Sequence, residues 1–195
     1  MFPGGGATAR DGGEVTPAPD NLVNRDFTAE RPNEKWLTDI TEIKASDGKV
    51  YLSPMIDCYD GMVVAHTAGT SPNAELANTM LDRAAATLRP GERPVVHSDR
   101  GCHYRWPGWL ERMGRHGLVR SMSAKGCSPD NAAAEGFFGR MKVESVYPEH
   151  WEERTCEEVI GLAGEYIHWY NHSRIKQSLG WKSPVEYRTS QGLAV

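Results

Sequence analysis

Residues 36–57 read WLTDITEIKASDGKVYLSPMID. Two β-prone apolar runs flank Ser46-Asp47-Gly48-Lys49, and an Asp-Gly pair between such runs signals a β-hairpin with a tight turn. Tyr59-Asp60-Gly61 supplies a second turn, and MVVAHTAG (62–69) a third strand. Three antiparallel strands in a meander are the economical reading. Asp39 breaks the apolar pattern of the first strand. A carboxylate inside a strand is costly unless it is paired or bound to a cation.

Working downstream, Ser71-Pro72 reads as a helix start, with Ser as the cap and Pro at the first helical position. Leu76, Met80, Leu81, Ala84 and Leu88 recur at helical spacing, and Arg89-Pro90-Gly91 ends the helix. PVVHS (94–98) is a short strand that runs directly into Asp99. A helix around 105–115, a strand at 118–122 (LVRSM), a loop at 123–131 (SAKGCSPDN) and helices at 131–146 and 155–171 follow. This order describes an α/β domain with a mixed five-stranded sheet, three antiparallel strands and then two parallel ones, flanked by helices. Strands joined through helices run parallel to each other and to the first. Sites in open α/β sheets form beyond the carboxyl ends of strands, where Asp99 falls.

The helix at 131–146 carries a third acid. At 100° per residue Asn131, Glu135 and Lys142 share one stripe, while Ala134, Phe137, Phe138 and Met141 form an apolar flank. The helix can therefore bury one side and aim Glu135 and Lys142 into a cleft. Three carboxylates from distant segments, Asp39, Asp99 and Glu135, would repel one another, and a divalent metal is the usual remedy. The residues thus suggest an oxygen-ligand site for a hard cation, of the kind that moves phosphoryl groups.

Composition sets bounds. Net charge is −4 and pI about 6.0, which counts against a strong stand-alone nucleic-acid binder. Residues 171–195 are locally basic, with Arg174, Lys176, Lys182 and Arg188 against Glu186. No stretch approaches the roughly 18 apolar residues of a membrane span. Residues 1–20 are rich in Gly, Pro and Ala and lack the apolar segment of a secretory signal, so they read as a disordered lead-in. Cys58, Cys102, Cys127 and Cys156 form no C-x-x-C pair, and the seven histidines no zinc pattern. The thiols read as reduced and cytosolic. His97-Ser98-Asp99 is no hydrolase triad, because adjacent strand residues point to opposite faces. Asp57 and Asp60 read as turn residues rather than catalytic acids. Trp106, Trp109, Trp169 and Tyr170 read as packing.

The stretches NRDFTAERPNEKWLTDIT, YLSPMIDCYDG, VVHSDRGCHY, SMSAKGCSPDNAAAEGFFGRMKVE and YNHSRIKQSLGWKSPVEY occur in this order, with thirty-five residues between Asp99 and Glu135. Together they make residues 21–187 resemble the retroviral-integrase-type catalytic core of insertion-sequence transposases. The resemblance implies a ribonuclease-H-like fold over residues 21–190, with 191–195 as a tail. It implies a catalytic and metal-binding triad of Asp39, Asp99 and Glu135 and two Mg²⁺ or Mn²⁺ ions. Asp39 would bridge both ions, Asp99 would hold one and Glu135 the other. It further implies phosphodiester hydrolysis and strand transfer, DNA (element ends and target) as partner, a homo-multimer on DNA, no membrane, and a cytoplasmic, nucleoid-associated location. Lys142 matches the basic residue that the family carries seven positions after its Glu. Asn131, Arg174 and Lys176 are further candidate DNA contacts, Lys176 standing where the family usually has His. The family usually carries a helical DNA-binding segment ahead of the core, where this chain has its Gly/Pro-rich lead-in. Two readings therefore stay open: a competent transposase or integrase core, and a catalytically silent DNA-binding remnant. A general nuclease on RNA–DNA hybrids would share fold and metals, but the thirty-five-residue spacing and the YNHSR…SPVEY tail argue against it.

Overall fold

The computed structural model of the protein describes residues 17–125, 130 and 132–195. Strands β1 (Lys35–Thr38), β2 (Thr41–Ala45), β3 (Gly48–Asp57) and β4 (Val63–Gly69) come first. Helix α1 (Ala74–Ala85), β5 (Val95–Ser98), α2 (Pro107–Arg115), β6 (Val119–Met122) and α3 (Ala132–Met141) follow, then α4 (Cys156–His172) and α5 (Pro184–Ser190).

The expected first strand is divided into β1 and β2, so the sheet has six strands by count. Both halves pair antiparallel with β3 in one register, Thr38 opposite Met55 and Thr41 opposite Leu52. The break at Asp39-Ile40 faces Ser53-Pro54. Proline has no N–H to give to a ladder, and the buried Thr38 hydroxyl instead donates to the Pro54 carbonyl at 2.8 Å. The other edge of β3 carries β4, also antiparallel. On the far side β1 pairs parallel with β5, and β5 parallel with β6, as the helical connections require.

Alternation along the strands sorts side chains into two layers. Trp36, Met55 and Val96 face α1 and α2, packing with Met80, Leu81, Trp109 and Met113. Leu37, Ile43, Leu52 and Ile56 face α3 and α4, packing with Phe137, Phe138, Trp151 and Tyr170. Burial of these two apolar layers is the main driving force for the fold.

Helix boundaries differ from expectation in instructive ways. Asn73, not Ser71, caps α1, its side chain accepting from Leu76 N at 3.0 Å, and Pro72 stays outside the helix. Thr155 caps α4 in a full capping box with Glu158. The helix expected at 131–146 is α-helical only to Met141. Residues Lys142–Val146 form a π-turn, with Tyr147 N donating to the Lys142 carbonyl at 2.9 Å. π-turns inside helices are rare and cluster at functional sites.

Asp57 and Asp60 do more than shape the β3–β4 turn. Both are buried and ion-paired with Arg188 of α5, at 3.0 and 2.6 Å. This draws the C-terminal helix onto the sheet. Of the expected packing aromatics, Trp109 and Tyr170 are buried, Trp106 is half-buried and Trp169 is exposed.

Candidate active site

Asp39 and Asp99 come together through strand register. The parallel β1–β5 ladder aligns Leu37 with His97, and two residues further Asp39 stands beside Asp99. Neighbouring strands lie about 4.8 Å apart, so the two backbones are side by side where the acids leave the strands. Leu37 packs in the α3–α4 layer, and its register partner His97 shares that face, while Val96 packs in the α1–α2 layer. Asp39 and Asp99 each follow two residues later, just past the ends of β1 and β5.

Each acid is held locally. Asp39 Oδ1 accepts from Ile40 N, and Asp99 Oδ1 from Gly101 N, both at 2.8 Å. A β-carbon on Gly101 would lie 2.9 Å from Asp99 Oδ1, so this tight return needs glycine. Beneath the pair sits Tyr104, fully buried, its hydroxyl without a hydrogen-bond partner of good geometry. Burial, with Asp39 and Asp99 adding to it, pushes its phenol well above the usual value.

Helix α3 lies against β1 and buries Ala134, Phe137, Phe138 and Met141, the flank expected from its periodicity. Glu135 is exposed in its first turn. The three carboxylates do not all lie within 4.8 Å of one another. Among the described residues the group that does is His150, Glu152 and Glu153, an outlying surface cluster held by a His150–Glu152 pair.

The three candidate ligands, Asp39, Asp99 and Glu135, are all carboxylates. His97, two residues before Asp99, is not available as a ligand. Its Nδ1 lies 2.9 Å from Ser121 Oγ, and its Nε2 lies 3.2 Å from Ser123 Oγ and 3.1 Å from the Asp130 carbonyl. Burial holds its pKa below the usual value, so the ring is neutral. Carboxylates without thiolate or imidazole suit Mg²⁺ or Mn²⁺.

The expected DNA contacts are placed unequally. Lys142 stands two turns beyond Glu135 at the start of the π-turn, half-buried. Arg174 forms a two-pronged pair with Glu144, which also accepts from the Tyr166 hydroxyl at 2.8 Å. Lys176 donates to the Asp60 carbonyl at 3.1 Å and lies 4.7 Å from the centre of the Tyr170 ring. The Lys176 ammonium therefore serves the fold at the β3–β4 turn, where Gly61, at φ +79°, leaves room for it. Asn131 lies outside the described residues.

Sequence reasoning passed over Asp130. It is buried two residues ahead of α3, its carboxylate accepting from Arg25 Nε at 2.7 Å, Ala124 N at 2.8 Å and Asn21 Nδ2 at 3.2 Å. An aspartate just ahead of a helix resembles an ordinary cap, and nothing in its spacing reveals a partner 105 residues away.

This architecture, antiparallel strands followed by parallel ones in a mixed sheet flanked by helices, is a ribonuclease-H-like fold. The chain belongs to the integrase core domain family, which matches residues 29–128, and a second family of the same description matches 135–191. It is 61% identical over 181 residues to a protein of Shigella flexneri named "Probable transposase for insertion sequence element IS1353", covering 93% of this chain and 35% of that one. It is 46% identical over 177 residues to an uncharacterized transposase-like protein of Haemophilus influenzae, covering 91% of this chain and 81% of that one. The chain thus spans about a third of the first relative's length. Among solved structures, the HTLV-2 integrase catalytic core domain in complex with magnesium superposes with a TM-score of 0.63 at 16% identity, over 82% of this chain and 98% of that one. No described helix is long and apolar enough to cross a membrane.

Proposed function

We propose that this chain is the catalytic core of an insertion-sequence transposase, cutting and joining DNA phosphodiesters at a site formed by Asp39, Asp99 and Glu135. The observation that supports the reading is the parallel β1–β5 register, which sets Asp39 and Asp99 just past the carboxyl ends of neighbouring strands, with the Glu135 helix packed against β1.

The residues fit a pair of divalent cations. Their donors are carboxylate oxygens, and their backbones come from three separate elements. Asp39, Asp99 and Glu135 would hold these ions. When bound, Mg²⁺ or Mn²⁺ would supply charge neutralisation at the reacting phosphate and acidify the attacking water or 3′-hydroxyl. The protein's own work is positional. The backbone amides of Ile40 and Gly101 each fix one oxygen of Asp39 and Asp99. Lys142, further along the Glu135 helix, would hold a DNA phosphate and set the strand's register without taking part in the chemistry. The protein would act in the cytoplasm, at the nucleoid, as a multimer bridging two DNA ends.

A Mn²⁺-dependent strand-cleavage and disintegration assay on branched DNA tests this, comparing wild type with Glu135→Gln and Asp39→Asn. Both variants keep shape and lose charge, so they are expected to stay folded and lose cleavage. Wild-type-like cleavage by either would overturn the site. Inactivity of the folded wild type would favour the silent DNA-binding remnant.

A further inference from the structure

We propose that residues Asn21–Phe27 form a strap that positions the proposed catalytic acids, with Arg25 as its fastening, and this rests on the functional reading above. The strap crosses the end of the sheet that carries the site, and its contacts form a closed circuit. Leu22 N donates to Ser121 Oγ on β6 at 2.9 Å. His97 Nδ1 on β5 lies 2.9 Å from the same hydroxyl and accepts from it, because the carbonyl facing the other ring nitrogen can only accept. The other ring nitrogen, His97 Nε2, then donates to the Asp130 carbonyl at 3.1 Å. The Asp130 carboxylate returns to the strap through Arg25 Nε at 2.7 Å and Asn21 Nδ2 at 3.2 Å. Phe27 closes the circuit by packing its ring edge-on against His97, with centroids 5.9 Å apart.

Both ends of this circuit lie close in sequence to the site. His97 is two residues before Asp99 on the same strand face, and Asp130 is two residues before the helix that carries Glu135. His97, Ser121 and Asp130 are all at most 3% exposed, so the bonds operate away from water, where a missing partner is costly. Arg25 is the reverse, with a side chain 57% exposed against 4% for Asp130. A surface arginine therefore anchors a buried carboxylate at the head of the Glu135 helix.

The strap's backbone shows that it is held rather than idle. Asn24 and Arg25 both adopt left-handed conformations, at φ 49° and 64°. Two consecutive non-glycine residues of this kind are uncommon and persist where surrounding contacts fix them. Asn24 N donates to Asn21 Oδ1 at 2.9 Å, and Asp26 N to the Val23 carbonyl at 2.9 Å, while Val23 is buried. The turn aims Arg25 inward at Asp130. With the strap seated, Glu135 and Asp99 are referred to one another through His97 and Asp130. With Arg25 unfastened, the Asp130 carboxylate at the head of α3 loses its charged link to the strap, and the His97–Asp130 bond loses that support.

The experiment compares wild type, Arg25→Ala and Arg25→Lys by amide hydrogen exchange and by Mn²⁺ dependence of cleavage on branched DNA. Arg25 is exposed, so Arg25→Ala is expected to fold. Its amides in the first turns of α3 should exchange roughly tenfold faster than in wild type, while those of α1 stay unchanged. Half-maximal Mn²⁺ should rise several-fold and kcat should fall, with KM for DNA unchanged and Arg25→Lys intermediate. Unchanged exchange in α3 overturns the strap. A rise in KM alone, with metal dependence unaltered, also overturns it and makes Arg25 a DNA contact. The exchange measurement needs no activity, so failure of the functional reading, seen as an inactive wild type, is distinguishable from failure of the strap.

Discussion

Replacing Arg188 by Met should cost this fold about 3–4 kcal/mol at pH 7, and the structure supplies the working. The guanidinium makes three charge-assisted hydrogen bonds, to Asp60 Oδ2 at 2.6 Å, Asp60 Oδ1 at 3.0 Å and Asp57 Oδ2 at 3.0 Å. Its side chain is 5% exposed and both carboxylates are 0% exposed. Removing one partner of a buried ion pair typically costs about 3–5 kcal/mol, because a charge is left desolvated and unpaired. Here the loss falls in the lower half of that range. Asp57 keeps the Asn33 and Tyr59 amides at 2.8 and 3.0 Å, and Asp60 keeps the Met62 amide at 3.0 Å. For a chain of this size such a loss lowers Tm by about 10 °C. The pH dependence gives a second, independent check. Burial already pushes the Asp57 carboxyl above its usual value, against the pull of the Tyr59 and Asn33 amides and of Arg188. Without Arg188 it rises further, so the folded variant binds protons that the unfolded chain does not. Its stability therefore recovers as pH falls, and the gap to wild type narrows between pH 7 and 5. Urea unfolding followed by tryptophan fluorescence measures both quantities. Replacing Asp57 and Asp60 by Asn as well should restore most of the stability, since a neutral trio needs no counter-charge. A loss below about 1 kcal/mol, or a gap that stays constant or widens toward pH 5, would refute the reasoning.

Three further predictions follow from individual contacts. Gly101→Ala sets a methyl 2.9 Å from Asp99 Oδ1 and should cut cleavage of branched DNA by about a hundredfold while stability changes by less than about 1 kcal/mol; unchanged cleavage would show that Asp99's orientation is unimportant. Trp151→Ala empties a fully buried site in the α3–α4 layer and frees Glu149 Oε2 from its 3.2 Å partner, so unfolding free energy should fall by about 3–5 kcal/mol; a loss under about 2 kcal/mol in chemical denaturation would mean the site collapses around the gap. Asp26 is held at a pKa of about 2 by the Thr28 hydroxyl and then by the Lys35 ammonium and Thr28 amide. A lowered carboxyl pKa stabilises above the unfolded value and loses that contribution as pH falls through the folded one, so the contact should fail between about pH 4 and pH 2. A carboxyl NMR titration midpoint for Asp26 near the ordinary aspartate value would contradict this.

What was legible in the sequence depended on range. The meander, the parallel strands and the apolar flank of α3 follow from local periodicity, and the acids stood out because carboxylates are unwelcome in β-prone runs. The division of the first strand was not legible, because it arises from Pro54 lying across from Asp39 on another strand. The start of α1 moved because Asn73 competes with Ser71 as a cap, and the side chain that reaches Leu76 N wins. The π-turn at Lys142–Val146 follows from packing: Ser145 and Val146 are buried while Glu144 reaches out to Arg174 and Tyr166. The same limit applies to the basic tail. Charge counting marks Arg174, Lys176 and Arg188 as a possible phosphate-binding surface, yet in the fold each meets an acid, a carbonyl or an aromatic ring.

That reassignment bears on where the chain's affinity for DNA would reside. A core whose formal charge is −4, with several tail cations engaged internally, has little unspecific attraction for phosphate. Charges that remain near the site, such as Lys142, then matter more for register than for affinity. Neutralising the three acids with cations would also reverse the local field at the strand ends, from one that repels a DNA backbone to one that accepts it. On the proposed function, metal occupancy and DNA affinity would be thermodynamically coupled at this site, each raising the other by the same factor. DNA titrations with and without Mg²⁺ should show tighter binding with the ion in wild type, and a markedly smaller difference in Glu135→Gln, where one carboxylate charge has gone. An equal metal effect in the two proteins would place the coupling elsewhere on the surface.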